Sequence, residues 1–424
     1  MKKSNIVSLV AVFALTVSSA FAGPAKGFKF STGISANPDG KVSGLEAAKK
    51  AKEGLGDKAA KLVLIFSGRK QLNQGMIDSV ATVFEKKIIF GCEGYSPLTK
   101  QTNFHDQNVQ ANGVAILAVA GDINISIASA HTVQDGGYEK AGIKIGSELK
   151  AALNSDDSGK FLVTFGDQHV GGPSAGLVKG LRQELGKTFP IVGAAAGQGN
   201  AKEIVAGEIV DNTNVGVLIS GEFMLGVATS GYKEDLPTTT KYAISSALSQ
   251  SKGKPVMAFL FDCGGRRGKM FGQKQLKAEF DTMKSSLGDT PFFGFYGGGE
   301  IGPVDQNSPS KGVGFSVATA IISVVDGAVD LGAERTRLYI IAMNKMKKDA
   351  LLVRLIAQEK ELGKKSIEAE KSGDTKMAKI FRAAKQAKHM EKRYYLRLYN
   401  PAFNAACQAF NDNDKNYWGK KSSN

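Results

Sequence analysis

Two glycine-broken runs hold the side chains best suited to chemistry. In FDCGGRRGKMFG, Phe261 to Gly272, an apolar run from Val256 ends in Asp262 and Cys263, then Gly264, Gly265, Arg266 and Arg267, and an amphipathic helical stretch follows. Gly264 and Gly265 allow a tight turn with open backbone N–H groups, and the arginines bring forked donors suited to a carboxylate or another oxyanion. In FFGFYGGGEIGP, Phe292 to Pro303, a short aromatic strand carrying Tyr296 breaks at Gly297, Gly298 and Gly299, and Glu300 stands just beyond. Opposite charges on two glycine-rich strand ends suit a zwitterion. The plainer account of an arginine pair after a strand is ion pairing or helix flanking, and it is the second, acid-bearing run that turns the balance toward a site. Cys263 beside two arginines is also where a thiol could be activated, but no positioned base can be named for it.

The elements that must position these residues repeat through the chain. LVLIFSG at Leu62, FLVTFGD at Phe161 and VMAFLFDCGG at Val256 are apolar runs that end in small or polar residues, each followed by a helical stretch. Next come the glycine-broken strands IIFGCEG at Ile88, PIVGAAAG at Pro190 and PFFGFYGGGE at Pro291, whose glycines Gly91, Gly193 and Gly294 lie 102 and 101 residues apart. A further apolar strand closes each unit, from Gly113, Val215 and Gly312. Three units of strand, helix, strand and strand predict an α/β fold, with near-continuous apolar strands in sheets buried on both faces and flanked by helices. Ligands in such sheets bind beyond the carboxyl ends of the strands, where the glycine breaks fall. Cys92 lies at one such end.

These motifs resemble the FIST family, a bacterial sensory domain. Cys263, Gly265, Arg266 and Arg267 match its C-x-G-R-R run, and Gly294, Phe295, Tyr296, Gly299, Glu300, Ile301 and Pro303 match its G-F-Y-x-x-G-E-I-x-P run. Ile191 to Gly197 and Val205 to Val210 also resemble the family sequence, whereas GCEGYSP keeps Gly91 and Cys92 of a G-C-S-x-x-G-E-like run but departs at Glu93 to Pro97. The resemblance covers roughly Ala25 to Asp330 and implies a FIST N-terminal-like domain over 23–235, holding two repeats, and a C-terminal-like domain over 236–330, holding the third. It implies a small-molecule ligand, such as an amino acid, met by Cys92, Cys263, Gly264, Gly265, Arg266, Arg267, Tyr296, Gly299 and Glu300. The departure at Glu93 to Pro97 bears on the ligand's identity, because that strand end faces the same site.

The two ends of the chain differ from its middle. Lys2 and Lys3, the apolar stretch Ile6 to Val17 and Ala20-Phe21-Ala22 read as a signal peptide over 1–22, so an exported protein, periplasmic or extracellular, is expected. Three cysteines, Cys92, Cys263 and Cys407, are too few for a disulfide framework; free thiols are expected, with a Cys92–Cys263 bridge as the alternative. From Leu331 to Asn424 there are 21 Lys and Arg against 10 Asp and Glu, a net +11 out of the chain's formal +15. This basic tail reads as a helical hairpin, Glu334 to Lys371 and Thr375 to Tyr399, turning at Ser372-Gly373-Asp374. Its charges are interspersed with acids, and an exported protein does not ordinarily meet nucleic acid, so no nucleic-acid partner is expected. A solvated helical face is its plainest role, and an anionic envelope surface or a signalling protein its fitting partners.

Signatures of other chemistry are weak. His105, His131, His169 and His389 are scattered, no metal-spaced carboxylate cluster or C-x-x-C occurs, and Gly172-Pro173-Ser174-Ala175-Gly176 misses the nucleophile-elbow pattern at Pro173. No cofactor is expected. Three classes of function stay open: a FIST-type ligand-binding protein, a thiol-dependent enzyme using Cys263, and a structural envelope protein working through its basic tail.

Overall fold

The computed structural model describes residues 27–107, 112–153, 157–169, 171–197, 201–231, 236–270, 275–324 and 350–399. The expected signal peptide and Cys407 lie outside them, as do residues 334–349 of the first expected tail helix. Among the described residues, 27–324 form one compact unit and 350–399 another.

The three sequence repeats are three structural units. The first runs β1 (Lys29–Ser35), α1 (Gly40–Leu55), β2 (Ala60–Gly68), α2 (Gln74–Ala81), β3 (Ile89–Gly94), β4 (Ser96–Thr99) and β5 (Val114–Ala120). The second repeats it as β6 (Asn124–His131), α3 (Tyr138–Lys150), β7 (Gly159–Gly166), α4 (Gly172–Leu185), β8 (Ile191–Ala195), β9 (Lys202–Val205), β10 (Glu208–Asp211) and β11 (Thr213–Gly221). The third comprises β12 (Met224–Ser230), α5 (Leu236–Gln250), β13 (Lys254–Cys263), α6 (Gly264–Met270), α7 (Gln275–Leu287), β14 (Phe292–Gly297), β15 (Glu300–Gly302), β16 (Lys311–Val313) and β17 (Val317–Val324). Each unit thus opens with a strand and helix ahead of the apolar strand from which the sequence repeat was read.

The units exchange strands in a cycle. Sheet order is β1-β5-β2-β3-β9-β10 in the first, β6-β11-β7-β8-β15-β16 in the second and β12-β17-β13-β14-β4 in the third. Every glycine-broken strand therefore pairs on one side with its own unit, in parallel, and on the other with a strand lent by another unit, antiparallel. Three backbone hydrogen bonds at equivalent positions close the ring: Tyr95 N–H to Tyr296 O at 2.9 Å, Gly197 N–H to Glu93 O at 3.0 Å and Gly298 N–H to Ala195 O at 3.0 Å.

Strand alternation explains why the runs look continuously apolar. On β2, Leu62, Leu64 and Phe66 face a cluster common to all three sheets while Val63 and Ile65 face that unit's helices. On β13, Met257, Phe259 and Phe261 face the shared cluster while Ala258 and Leu260 face helices. Phe66 joins the units directly, packing edge-on against Phe165 of the second and stacking on Phe293 of the third. Cys92 lies inside this cluster, a fully buried thiol.

In the second compact unit, α8 (Ala350–Lys371) and α9 (Thr375–Tyr399) form the expected hairpin. Gly373 turns with φ 79°, and Asp374 caps α9 by accepting the Met377 N–H at 3.0 Å. Leu355, Ala369 and Ala378 are buried there, whereas Ile356, Ile367, Met377 and Ile380 are exposed.

The 102- and 101-residue spacing has a steric cause. A Cβ on Gly91, Gly193 or Gly294 would overlap the carbonyl oxygen of Ile65, Thr164 or Leu260, its register partner on the parallel strand. Alanine at any of the three should therefore cost about 1–3 kcal/mol or more by overpacking. Gly172→Ala, where a Cβ meets nothing within 4 Å, is the control. Urea unfolding midpoints that fall for Gly294→Ala and hold for Gly172→Ala are the expected result.

Candidate functional site

The two motifs do meet. β13 and β14 pair in parallel with Cys263 opposite Gly297, and Gly299, with φ 144°, turns the chain so that Glu300 enters β15 fully buried. Glu300 Oε2 accepts the Ser316 N–H at 3.1 Å and its hydroxyl at 2.8 Å, and Oε1 has no hydrogen-bond partner. Burial pushes the Glu300 carboxyl up to about 8, against the pull of Ser316, Arg266 and Cys263. Burial and then the Glu300 charge push the Cys263 thiol up to about 11, although the N–H groups of Arg266, Phe315 and Gly265 favour the thiolate. Both groups are protonated at neutral pH, which is the reverse of an activated nucleophile.

Cys263 is 7 % exposed and lies beside surface residues: Gly265 is exposed, and Phe315, with φ 53°, lies against it at 43 % exposure. Tyr95 from the first unit lies against Gly264 so closely that a Cβ there would overlap its ring. Tyr95, Phe315 and Ser316 belong to the site though no sequence motif named them. The clue available for Tyr95 was its place in the run that departs at Glu93 to Pro97.

The arginines lie behind this surface, fully buried. Arg266 Nε donates to Asp262 Oδ1 at 2.8 Å, and its Nη2 donates to Glu279 Oε1 at 2.5 Å, Thr240 Oγ1 at 2.9 Å and Leu236 O at 3.0 Å. Arg267 donates to Asn103 O at 2.8 Å and Phe104 O at 2.9 Å and lies over the Tyr296 ring at 5.2 Å. Burial lowers the Arg267 pKa. Tyr296 donates its hydroxyl to Glu279 Oε2 at 2.8 Å, so it too is framework. The pair, expected at the ligand, fastens α6 to α5 and α7 and ties the chain after β4 to the third unit, while Arg266 Nη1 is buried with no hydrogen-bond partner. The reason is local: the turn at Gly264 starts a helix at once, and its first turn carries both side chains inward. Cys92 is likewise apart from this group, in the shared core opposite Glu203.

The exchange of strands places two further positions in equivalence with Glu300. Glu203 on β9 pairs with Cys92, Glu300 on β15 with Ala194, and Pro97 on β4 with Phe295, each partner being the residue after the repeated glycine. Pro97 therefore fills, without chemistry, the place of a carboxyl group. Among the described residues no set of three or more His, Cys, Asp or Glu is arranged to hold a metal, and no helix is long and apolar enough to cross a membrane. A shallow groove lined by Lys61, Ile123, Asn124, Ile125, Ser126 and Ala152 contains none of these groups.

Two domain models of one family match this chain. The FIST N domain model matches residues 61–252 and the FIST C domain model residues 210–303. The chain belongs to the FIST family. FIST domains are associated with sensory binding of small ligands in signal transduction. A stretch of 154 residues is 32 % identical to an uncharacterised protein of Mycobacterium tuberculosis, covering 36 % of this FIST chain and 34 % of that protein. Another of 89 residues is 34 % identical to an uncharacterised protein of Mycobacterium bovis, covering 21 % and 22 %. The chain thus spans about a third or less of the length of the curated relatives it matches. A solved cyanuric acid hydrolase, described as evolutionary innovation by structural concatenation, aligns with 70 % of this chain and 99 % of its own at 11 % identity and a TM-score of 0.35, too loosely to bear on function.

Two measurements follow from the buried charges. Arg266→Ala should cost about 3–5 kcal/mol, because it leaves Asp262 and Glu279 buried without their partner. Equilibrium unfolding reads this, and a loss below about 1 kcal/mol would show the network to be dispensable. Glu203 and Glu300, raised to about 9 and about 8 from an ordinary 4.5, hold protons in the folded state that the unfolded state releases. Their contribution is therefore full below about pH 4.5 and lost as pH rises through 8 to 9. The Glu203→Gln/Glu300→Gln protein should lose less stability than the wild type between pH 5 and 9, by on the order of a few kcal/mol. Parallel pH profiles of the urea midpoint would rule this out.

Proposed function

We propose that this protein is an exported FIST-type receptor for a small anionic or zwitterionic molecule, an amino acid or a close analogue, bound over Cys263 and Glu300. The observation that carries the reading is Glu300 Oε1, a buried oxygen with no hydrogen-bond partner on a protonated carboxyl beside the Cys263 thiol, which itself lies near the exposed Gly265 and Phe315. A carboxylate reaching this mouth would accept hydrogen bonds from the acid and the thiol, while Tyr95 and Phe315 flank it. The buried arginines keep the α6 turn in place. A thiol enzyme is disfavoured by the high pKa of Cys263.

In this reading residues 1–22 direct export and are removed before Gly23, 23–235 and 236–330 bind the ligand together, and the tail over 331–424 meets an anionic envelope surface or a signalling protein. The exposed basic side chains of α8 and α9 support that role for the tail. N-terminal sequencing of the secreted protein, expected to begin at Gly23, checks the first point.

Binding is tested by thermal shift of the mature protein against amino acids, organic acids and peptides. A ligand at a hundred times its Kd adds about 2.7 kcal/mol of apparent stability. Glu300→Leu should abolish the shift, and Cys263→Ser should weaken binding by about tenfold or less. A library without hits, or a shift that survives Glu300→Leu, would overturn this placement of the ligand. For the tail, cosedimentation with anionic vesicles should be lost on deleting 331–424 and should weaken steeply between about 0.05 M and about 0.5 M salt, since exposed charges are screened over about 8 Å at physiological ionic strength.

A further inference from the structure

The cyclic exchange gives the second unit a set of groups equivalent, position by position, to Cys263, Glu300 and Ser316. Leu260 and Thr164 hold the same place against the repeated glycines, which equates Cys263 with Asp167 three residues on. Thr319 and Gly216 pair with those two residues, which equates Ser316 with Thr213. Glu203 completes the set as the counterpart of Glu300. Its Oε2 accepts the Thr213 N–H at 3.2 Å, as Glu300 Oε2 accepts the Ser316 N–H, and its Oε1 is likewise without a partner although the residue is fully buried.

The chemistry differs in sign. Where the third unit offers a thiol, the second offers the Asp167 carboxylate, half-buried at the end of β7 and steadied by the Tyr138 hydroxyl donating to its Oδ2 at 3.2 Å. Glu93 adds another carboxylate on the neighbouring strand end. The nearby cations are engaged: Arg69 reaches Glu93 at 3.5 Å, and Lys202 is bonded to Asp211. Acceptors therefore outnumber donors, and one of them is a buried oxygen with no partner. Burial, reinforced by Asp167, Asp211 and Glu93 against the Thr213 N–H, pushes Glu203 up to about 9. At neutral pH a proton thus supplies the positive charge that the acidic surroundings call for.

We infer that Asp167 and Glu203 form a second ligand site, related to the Cys263–Glu300 site by the internal repeat, that takes a primary ammonium or guanidinium group. The cation would enter from the Asp167 side, pair with that carboxylate and displace the Glu203 proton to reach Oε1. Pro97 and Gly68 stand at the equivalent places of the first unit, so that unit supplies no such site.

Titration calorimetry of the full mature chain with agmatine and with putrescine, against matched KCl, tests this. At least one should bind the wild type, and Asp167→Asn and Glu203→Gln should each weaken it by about tenfold or more, as expected for loss of a charge-assisted hydrogen bond. Both substitutions are isosteric, and Asp167→Asn keeps an acceptor for Tyr138. Glu300→Leu should leave the affinity unchanged, which separates this site from the one proposed above. No binding by either probe at about 10 mM, equal affinity in all the variants, or loss only in Glu300→Leu would each overturn the inference.

Discussion

A parallel strand can bring its backbone against a neighbour's carbonyl only where no Cβ intervenes, and this fold depends on that approach three times. At Gly91, Gly193 and Gly294 the approach lets each central strand end turn toward the next unit, where a Tyr95, Gly197 or Gly298 N–H meets a carbonyl of the adjoining strand end. The strand beyond the turn then leaves its own unit and completes another's sheet. No unit has a complete sheet alone, and all three share one apolar cluster that Phe66 crosses from side to side. Cooperative folding of residues 24–326 follows from this sharing, because separating one unit would strip a strand from two sheets.

The ring also explains why charged groups are buried here. Strand ends that converge leave little room for water, so the side chains they carry must be paired, neutralised or replaced. The third unit pairs Arg266 with Asp262 and Glu279 and holds Arg267 on two carbonyls and an aromatic face. Glu300 and Glu203 are neutralised by protons instead. In the first unit Pro97 replaces the acid. One backbone geometry thus carries three chemical solutions.

The groups of the candidate site stand on strand ends that also hold the units together. Tyr95 illustrates the coupling: its N–H closes the ring on Tyr296 O while its ring covers Gly264 beside Cys263. The candidate site thus adjoins the contact between the first and third units.

The sequence by itself determined the repeat, the sheets with two buried faces, the helical hairpin of the tail and the meeting of the Cys263 and Glu300 motifs. Each is set by local periodicity, by glycine spacing or by a cap such as Asp374, and these act within a few residues. Where the charged side chains of the two motifs point was decided only by tertiary structure. Arg266 and Arg267 look like a clamp in the sequence because charge signals exposure, but the helix that begins at Gly264 turns both inward onto Glu279, Thr240 and the chain around Asn103. Tyr95 and Phe315 reach the site from about 170 residues before and 50 residues after Cys263, so no local pattern announced them. Pro97 and Glu300 stand at the same distance from the repeated glycines Gly91 and Gly294, but Glu203 stands farther from Gly193, so its equivalence was not visible in the spacing. Three residues become one position only when each lent strand is seen beside another unit's sheet, because strand exchange is a property of the closed ring and of no single segment.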